Sequence, residues 1–234
     1  MEKLDLKKQL KYLYLPSAKE VSLVDVPEMK FISLEGQIEP GTMPGTSPGF
    51  AQAVGALYGF AYTLKFMSKL CAEDPIDYSV MALEGLWTTP AGGEDYAGQV
   101  GWTWTLMMMQ PDHIDQEMFD GALTQLKEKR EKEARKAAKK EDAASAGAAE
   151  DLEASLACLD RVRLENFHEG LSAQVMHIGS YADEPRTLAK MGAYIEQNGL
   201  AFHVQHHEIY LGDPRTAKPE NLKTVLRHPV HRAT

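Results

Sequence analysis

The stretch His206-His207-Glu208-Ile209-Tyr210-Leu211-Gly212-Asp213-Pro214-Arg215 decides the fold, because it reads as a strand that stops at an Asp-Pro turn. Successive side chains of a strand point to opposite faces. Val204, His206, Glu208 and Tyr210 therefore share one face, and His207, Ile209 and Leu211 share the other. The second set is the more apolar and is expected to pack on a helix, leaving Glu208 and Tyr210 to face a groove. A carboxylate beside a phenol on such a face serves as a ligand site or a proton-transfer pair. The alternative is an edge strand that carries a solvated Glu208.

Outward from this strand the chain repeats one plan. In the first half, residues 31–36 read as a strand, and a loop rich in Gly and Pro runs from Pro40 to Pro48. A helix follows over 48–70, with apolar residues spaced at Phe50, Val54, Leu57, Ala61 and Leu64. Strands at 79–87 and 102–110, joined by a turn around Ala91-Gly92-Gly93, complete that half. In the second half, 171–179 is a strand and Asp183-Glu184-Pro185 opens a helix, since Pro and acids suit a first turn. That helix buries Leu188, Met191 and Ile195 and stops at Asn198-Gly199, before strands at 203–211 and 223–228.

Each half is β-α-β-β and too small to hide its own sheet. Joined by a pseudo-two-fold, the duplicated halves make an α+β fold: one antiparallel sheet with two helices on one face and a ligand groove on the other. The expected organisation is a single domain over 1–234, with a first half and connecting helix at 20–126 and a second half at 158–231. Between them, 127–157 is rich in Lys, Glu, Arg and Ala, with helix-supporting pairs such as Glu128 to Lys132 and Glu131 to Arg135, and is interrupted by the Ala-rich run 143–149. It reads as a solvated helical spacer.

Composition narrows the function. There are 34 acidic against 25 basic residues and a formal net charge of −9, which argues against holding nucleic-acid phosphates. There is no basic-then-apolar leader and no apolar run of membrane-spanning length, so a cytoplasmic protein without membrane partners is expected. Cys71 and Cys158 lack metal-ligand spacing and read as ordinary reduced residues.

Several motifs resemble the GyrI-like small-molecule-binding family. Glu208, Tyr210, Leu211, Asp213, Pro214 and Arg215 fit its E-x-Y-L-x-D-P-R signature. Pro219, Glu220, Leu222 and Thr224 fit a P-E-x-L-x-T stretch, and Pro229-Val230 fits the ending of its last strand. His177-Ile178-Gly179-Ser180-Tyr181 with Asp183-Glu184-Pro185 is similar to the family's H-x-G-x-Y and helix start. Ala56-Leu57-Tyr58, Tyr62-Thr63-Leu64-Lys65-Phe66 and Leu83-Glu84-Gly85-Leu86-Trp87 resemble its first half. The resemblance spans roughly 20–130 and 158–231 and marks part of 127–157 as an insertion. Residues 1–20 are too few for the helix-turn-helix of the superfamily's regulators, so a stand-alone member is expected.

The resemblance implies that Glu208 lies at the floor of a groove for flat aromatic ligands, apolar or cationic. Among the rings it ranks Trp87, Tyr181 and Tyr210 first, then Tyr62 and Trp102. From the residues themselves, Tyr58 and Tyr62 share a helical face, and Trp102 and Trp104 share a strand face. His206 lies about 7 Å from Glu208 at strand rise, within reach of one ligand. Glu84 is a second acid that could stand across the groove. Some stand-alone relatives hydrolyse strained cyclopropane rings of DNA-alkylating compounds, which would assign Glu208 as base and Tyr181 or Tyr210 as proton donor. The alternatives are a sequestering module and a protein-interaction role resembling gyrase inhibition. No cofactor is expected. For a metal, His203 and His207 are about 13 Å apart along a strand, too far for one ion. His206 and Glu208 could supply two ligands with His177 a third, but H-E-x-x-H and cysteine clusters are lacking, so no metal is expected.

Overall fold

At the centre of the sheet, His206–Tyr210 lies antiparallel to Leu83–Thr88, with Glu208 opposite Gly85 and His206 opposite Trp87. This pairing joins the two halves. The computed structural model describes residues 3–88, 101–138, 145–203 and 205–233. In chain order the elements are β1 (Lys3–Leu4), α1 (Leu6–Gln9), α2 (Lys11–Tyr14), β2 (Ser22–Val26), β3 (Met29–Gln37) and α3 (Pro48–Lys69). Then come β4 (Asp77–Tyr78), β5 (Leu83–Thr88), β6 (Thr103–Gln110), α4 (Gln116–Ala138), α5 (Ser145–Asp160), β7 (Arg163–Phe167) and β8 (Gly170–Ile178). A 3₁₀ turn at Tyr181–Asp183 leads into α6 (Glu184–Gln197), followed by β9 (Leu200–Phe202), β10 (His206–Tyr210) and β11 (Lys223–Arg232).

The main sheet runs β2-β8-β11-β10-β5-β6-β3-β7, with β9 added on β11 and every pairing antiparallel. Each half contributes three successive strands, β3-β6-β5 and β8-β11-β10, so the duplicated β-α-β-β plan is present and β5 meets β10 at the seam. Val204 and the Ala91-Gly92-Gly93 turn lie outside the described residues.

Helix α3 begins where Ser47 Oγ accepts from the Phe50 N–H at 3.1 Å with Pro48 in the first turn. It buries Ala53, Ala56, Leu57, Phe60, Ala61 and Leu64 against β3 and β6. Helix α6 buries Met191 and Ile195 on Ala173, Val175 and Leu226, and the chain turns away at Gly199, whose φ of 65° favours glycine. No helix among the described residues is long and apolar enough to cross a membrane.

One expectation changes. Glu208, Tyr210 and Trp87 lie on the face that carries α3 and α6, in the cleft between the helices, and not on the face opposite. Alternation assigns partners to a face but does not say which face the helices take. The opposite face is covered by residues 6–14, whose Leu6, Leu13 and Tyr14 pack on Phe31, Leu86, Met107, Ile209 and Val225. The charged connection is helical over Gln116–Ala138 and Ser145–Asp160, and within 127–157 its described side chains are exposed or half-buried, while the residues flanking that stretch pack. Phe119, Ala122 and Leu126 of α4, with Cys158 and Leu159 of α5, belong to the core under α3. Ser145 onward is already helical, consistent with the helix propensity of alanine, while residues 139–144 lie outside the described set. Arg135 pairs with Glu131 at 3.3 Å, an exposed contact of little energetic weight.

Under the N-terminal cover lies a buried polar cluster that includes Glu84. Its carboxyl accepts from Tyr14 Oη at 2.6 Å and meets His207 Nε2 at 3.0 Å. His207 Nδ1 meets Glu169 at 3.0 Å, and Arg227 reaches Glu169 at 3.1 Å and the Leu13 carbonyl at 2.7 Å. Two acids thus face two cationic groups with both helical and strand partners satisfied, which makes their burial tolerable. Glu84 is therefore a structural acid on the far side of the sheet from Glu208. Burial alone would lower the His207 pKa, but Glu169 and then Glu84 outweigh it and lift it to about 9. Burial alone would raise the Glu169 carboxyl, but His207 and Arg227 hold it below its usual range.

These shifts set a pH window. A raised imidazole contributes fully below its unfolded value of 6.5, and the contribution is lost as pH rises through about 9. The depressed carboxyl contributes above its unfolded value of 4.5 and loses this as pH falls. Thermal melts should therefore show a plateau between about pH 5 and 6.5 and a fall of roughly 10 °C by pH 9.5, from a contribution on the order of 3 kcal/mol. A melting temperature flat through pH 9.5 would show that His207 is not charged in the folded protein.

Candidate functional site

Glu208 sits on the central strand, its side chain 13% exposed, between the start of α6 and the rings below α3. The residue facing it across the seam is Gly85. A Cβ at Gly85 would lie 2.9 Å from Trp87 Nε1 and 3.2 Å from Tyr210 Oη, so the absent side chain makes room for both. Trp87 Nε1 donates to Tyr210 Oη at 2.9 Å. Burial first, then the charge of Glu208 and a hydrogen bond to it, push the Tyr210 phenol well above its ordinary pKa. It stays a proton donor at every working pH.

Behind Glu208 runs a chain of imidazoles. His206 Nε2 lies 2.9 Å from Glu208 Oε1, and His206 Nδ1 lies 2.6 Å from His228 Nε2. Burial, then the neighbouring His206 and His207, hold the His228 pKa well below normal, so this ring is neutral. A neutral His228 that donates from Nε2 leaves His206 Nδ1 as acceptor and Nε2–H to donate to Glu208. The reverse tautomers turn the His206 Nε2 lone pair toward the carboxylate.

The second acid of the site is Glu184, the first residue of α6, at 7% exposure. Its Oε1 is buried with no hydrogen-bond partner among the described residues. Burial and then the charge of Glu208 push its pKa up to about 9, so it holds a proton at neutral pH. The sequence marks Glu184 only as an acid at a helix start. Its inward aim depends on how the turn after Gly179 docks α6 across β10 and β11, which no local signal shows.

The rings divide into two groups. Tyr181, 39% exposed, sets its edge against Tyr210 at 6.1 Å and 86°, and its pKa is pushed up to about 12 by burial, then by Glu208 and Glu184. Trp87 stacks on Phe50 at 5.6 Å and 23°, and Trp102 meets Trp87 edge-on at 5.9 Å. Phe50, read from sequence only as a core position of the helix, is thus a site ring. Tyr58 and Tyr62 stack at 6.4 Å but line a separate open groove of about 830 Å³ between α3 and α4, with Phe66 and Lys129. Burial, then the charge of Asp213, raises the Tyr58 phenol above its ordinary pKa. His177 bonds Thr187 Oγ1 at 2.9 Å and the Ser180 carbonyl at 3.0 Å, and so pins the turn before α6 rather than facing His206.

Gly85→Ala should separate Trp87 from Tyr210. Overpacking of this kind costs about 1–3 kcal/mol, so a lower melting temperature with altered tryptophan emission is expected. Unchanged emission would mean that the seam absorbs the methyl group without moving Trp87.

Residues 132–231 match the GyrI-like small molecule binding domain. An uncharacterized conserved protein from Listeria innocua is similar over 97% of this chain and 100% of its own, at 32% identity and a TM-score of 0.75. A hydrolase from the same organism is 33% identical over 98% of this chain and 100% of its own, with a TM-score of 0.70. Another L. innocua hydrolase is 32% identical over 97% of this chain and 100% of its own, with a TM-score of 0.69. No curated protein matches. With the duplicated sheet, the seam carboxylate and full-length similarity at this identity, the chain belongs to the GyrI-like small-molecule-binding domain family.

Proposed function

We propose that this chain takes a flat, largely apolar aromatic compound against Trp87 and hydrolyses a strained ring within it. The observation that carries the reading is the pair of carboxyl groups at the seam: Glu208, held by His206, and the buried Glu184, kept protonated at neutral pH. Two acids whose environments separate their protonation states suit one general base and one general acid. The description of two similar L. innocua proteins as hydrolases supports the same reading.

The ring cluster explains the preference for flat ligands. A planar system that slides beside Trp87 exchanges the Phe50 stack for a ligand stack, so little aromatic contact is lost. For a cyclopropane fused to a cyclohexadienone, Glu208 accepts a proton from water as the oxygen attacks the cyclopropane carbon. The C–O bond forms, the strained C–C bond breaks, and its electron pair passes through the ring to the carbonyl oxygen. Glu184 or Tyr181 supplies the proton that turns this oxygen into a phenol, and solvent returns the enzyme's protons to their starting places. Exclusion of bulk water by the rings strengthens each of these interactions.

Ring opening is followed by the ultraviolet change from dienone to phenol. Glu208→Gln should cost about 10²- to 10⁴-fold in rate while saturable quenching of tryptophan emission by the substrate persists. Saturable binding with no ring opening over buffer would leave a sequestering module, and full turnover in Glu208→Gln would remove the general base.

The rate should also fall as pH rises through about 9, because Glu184 then loses the proton it donates. Glu184→Gln should lower the rate and abolish this alkaline limb. An unchanged pH profile in that variant would assign the donor role to Tyr181.

A further inference from the structure

We propose that Glu184, His206 and Glu208 also form a site for one divalent first-row transition ion, with Zn²⁺ as the reference member. One ligand atom from each side chain lies within 4.8 Å of the other two. Two carboxylates and an imidazole match the borderline ions, and three protein ligands leave a coordination position for water.

Glu184 supplies an independent sign of a missing partner. It is 7% exposed, and its Oε1 is buried with no hydrogen-bond partner among the described residues. A buried polar atom left in this way costs stability unless something meets it. The groups around the three side chains also suit a metal site. Ligating imidazoles hydrogen-bond through their second nitrogen, and ligating carboxylates are themselves hydrogen-bonded. Here His206 Nδ1 lies 2.6 Å from His228 Nε2. His206 offers its Nε2 lone pair when Nδ1–H donates to His228, the reverse of the tautomer that holds Glu208 by an N–H. Ion-loaded protein therefore has Glu208 as a ligand and not as a base, and the two states exclude each other. The inference goes beyond the hydrolytic reading and does not depend on it.

The test uses the full chain, stripped of metal, titrated with ZnCl₂ by calorimetry in a non-chelating buffer. One ion per chain is expected, with Mg²⁺ binding far more weakly because it prefers oxygen ligands and retains its waters. Glu184→Gln and His206→Gln should each weaken zinc binding by more than the roughly 10- to 100-fold that losing an outer hydrogen-bond partner of a ligand costs. Glu184→Gln is nearly isosteric, and a thermal melt confirms that it folds. X-ray absorption at the zinc edge should show nitrogen and oxygen ligands, with the nitrogen contribution lost in His206→Gln. The exposed His203–His231 pair, with ring centroids 4.9 Å apart, is the competing place for zinc to settle. Loss of the site in His231→Ala with retention in Glu184→Gln would overturn the proposal, as would the absence of stoichiometric uptake. Zinc uptake with no ring opening by the metal-free protein would leave this inference standing and remove the hydrolysis; ring opening by the metal-free protein with no zinc uptake would do the reverse.

Discussion

The structure depends on the burial of both faces of β10. His206, His207 and Glu208 are three consecutive ionisable residues on a central strand, and each face must supply them with partners. On the side of α1 and α2, His207 is held between Glu84 and Glu169, with Arg227 completing the cluster. On the side of α3 and α6, Glu208 meets His206, and Glu184 stands nearby. Removing one partner from such a cluster costs about 3–5 kcal/mol, because the remaining charge stays buried. The two clusters differ in one respect. The first is closed and its acids are partnered, while the second retains an acid with an oxygen unpartnered among the described residues and a carboxylate open to the cleft. A closed cluster stabilises; an open one can receive a ligand.

The seam register ties this electrostatic arrangement to the rings. Because Glu208 stands opposite Gly85, the space over the glycine accommodates Tyr210 Oη and Trp87 Nε1. The Trp87 ring in turn rests against Phe50 of the helix belonging to the first half. Tyr181 and Glu184 come from the second half. The site is therefore assembled from both repeats, and any slip of β5 against β10 by one residue would send Glu208 to the wrong face. That is a physical reason for the duplication to be joined at these two strands rather than at an outer edge.

Secondary structure was legible because its causes are local. The spacing of Phe50, Leu57, Ala61 and Leu64, the Ser47-Pro48 start of α3, the Glu184-Pro185 start of α6 and its Asn198-Gly199 end act within a turn or two of chain. Alternation along 206–210 correctly put Glu208 with Tyr210 and His207 with Ile209. The N-terminal cover left no comparable signal, since Leu6, Leu13 and Tyr14 gain their role from distant strands. Glu84 illustrates the same limit. In sequence it is an acid on a seam strand, equally suited to either face, and only the Tyr14 hydroxyl and His207 ring make it structural.

By itself, the sequence determined the β-α-β-β order, the repeat, the family and the shared face of Glu208 with Tyr210, because periodicity, turn chemistry and motif spacing are properties of neighbouring residues. Tertiary structure alone decided which face bears the site, that Glu184 rather than Glu84 is the second acid, and that Phe50 joins Trp87 while Tyr58 and Tyr62 line another groove. Those outcomes depend on packing between residues far apart in the chain, where burial and unlike charges determine each side chain's partners and protonation, and no local pattern carries that information.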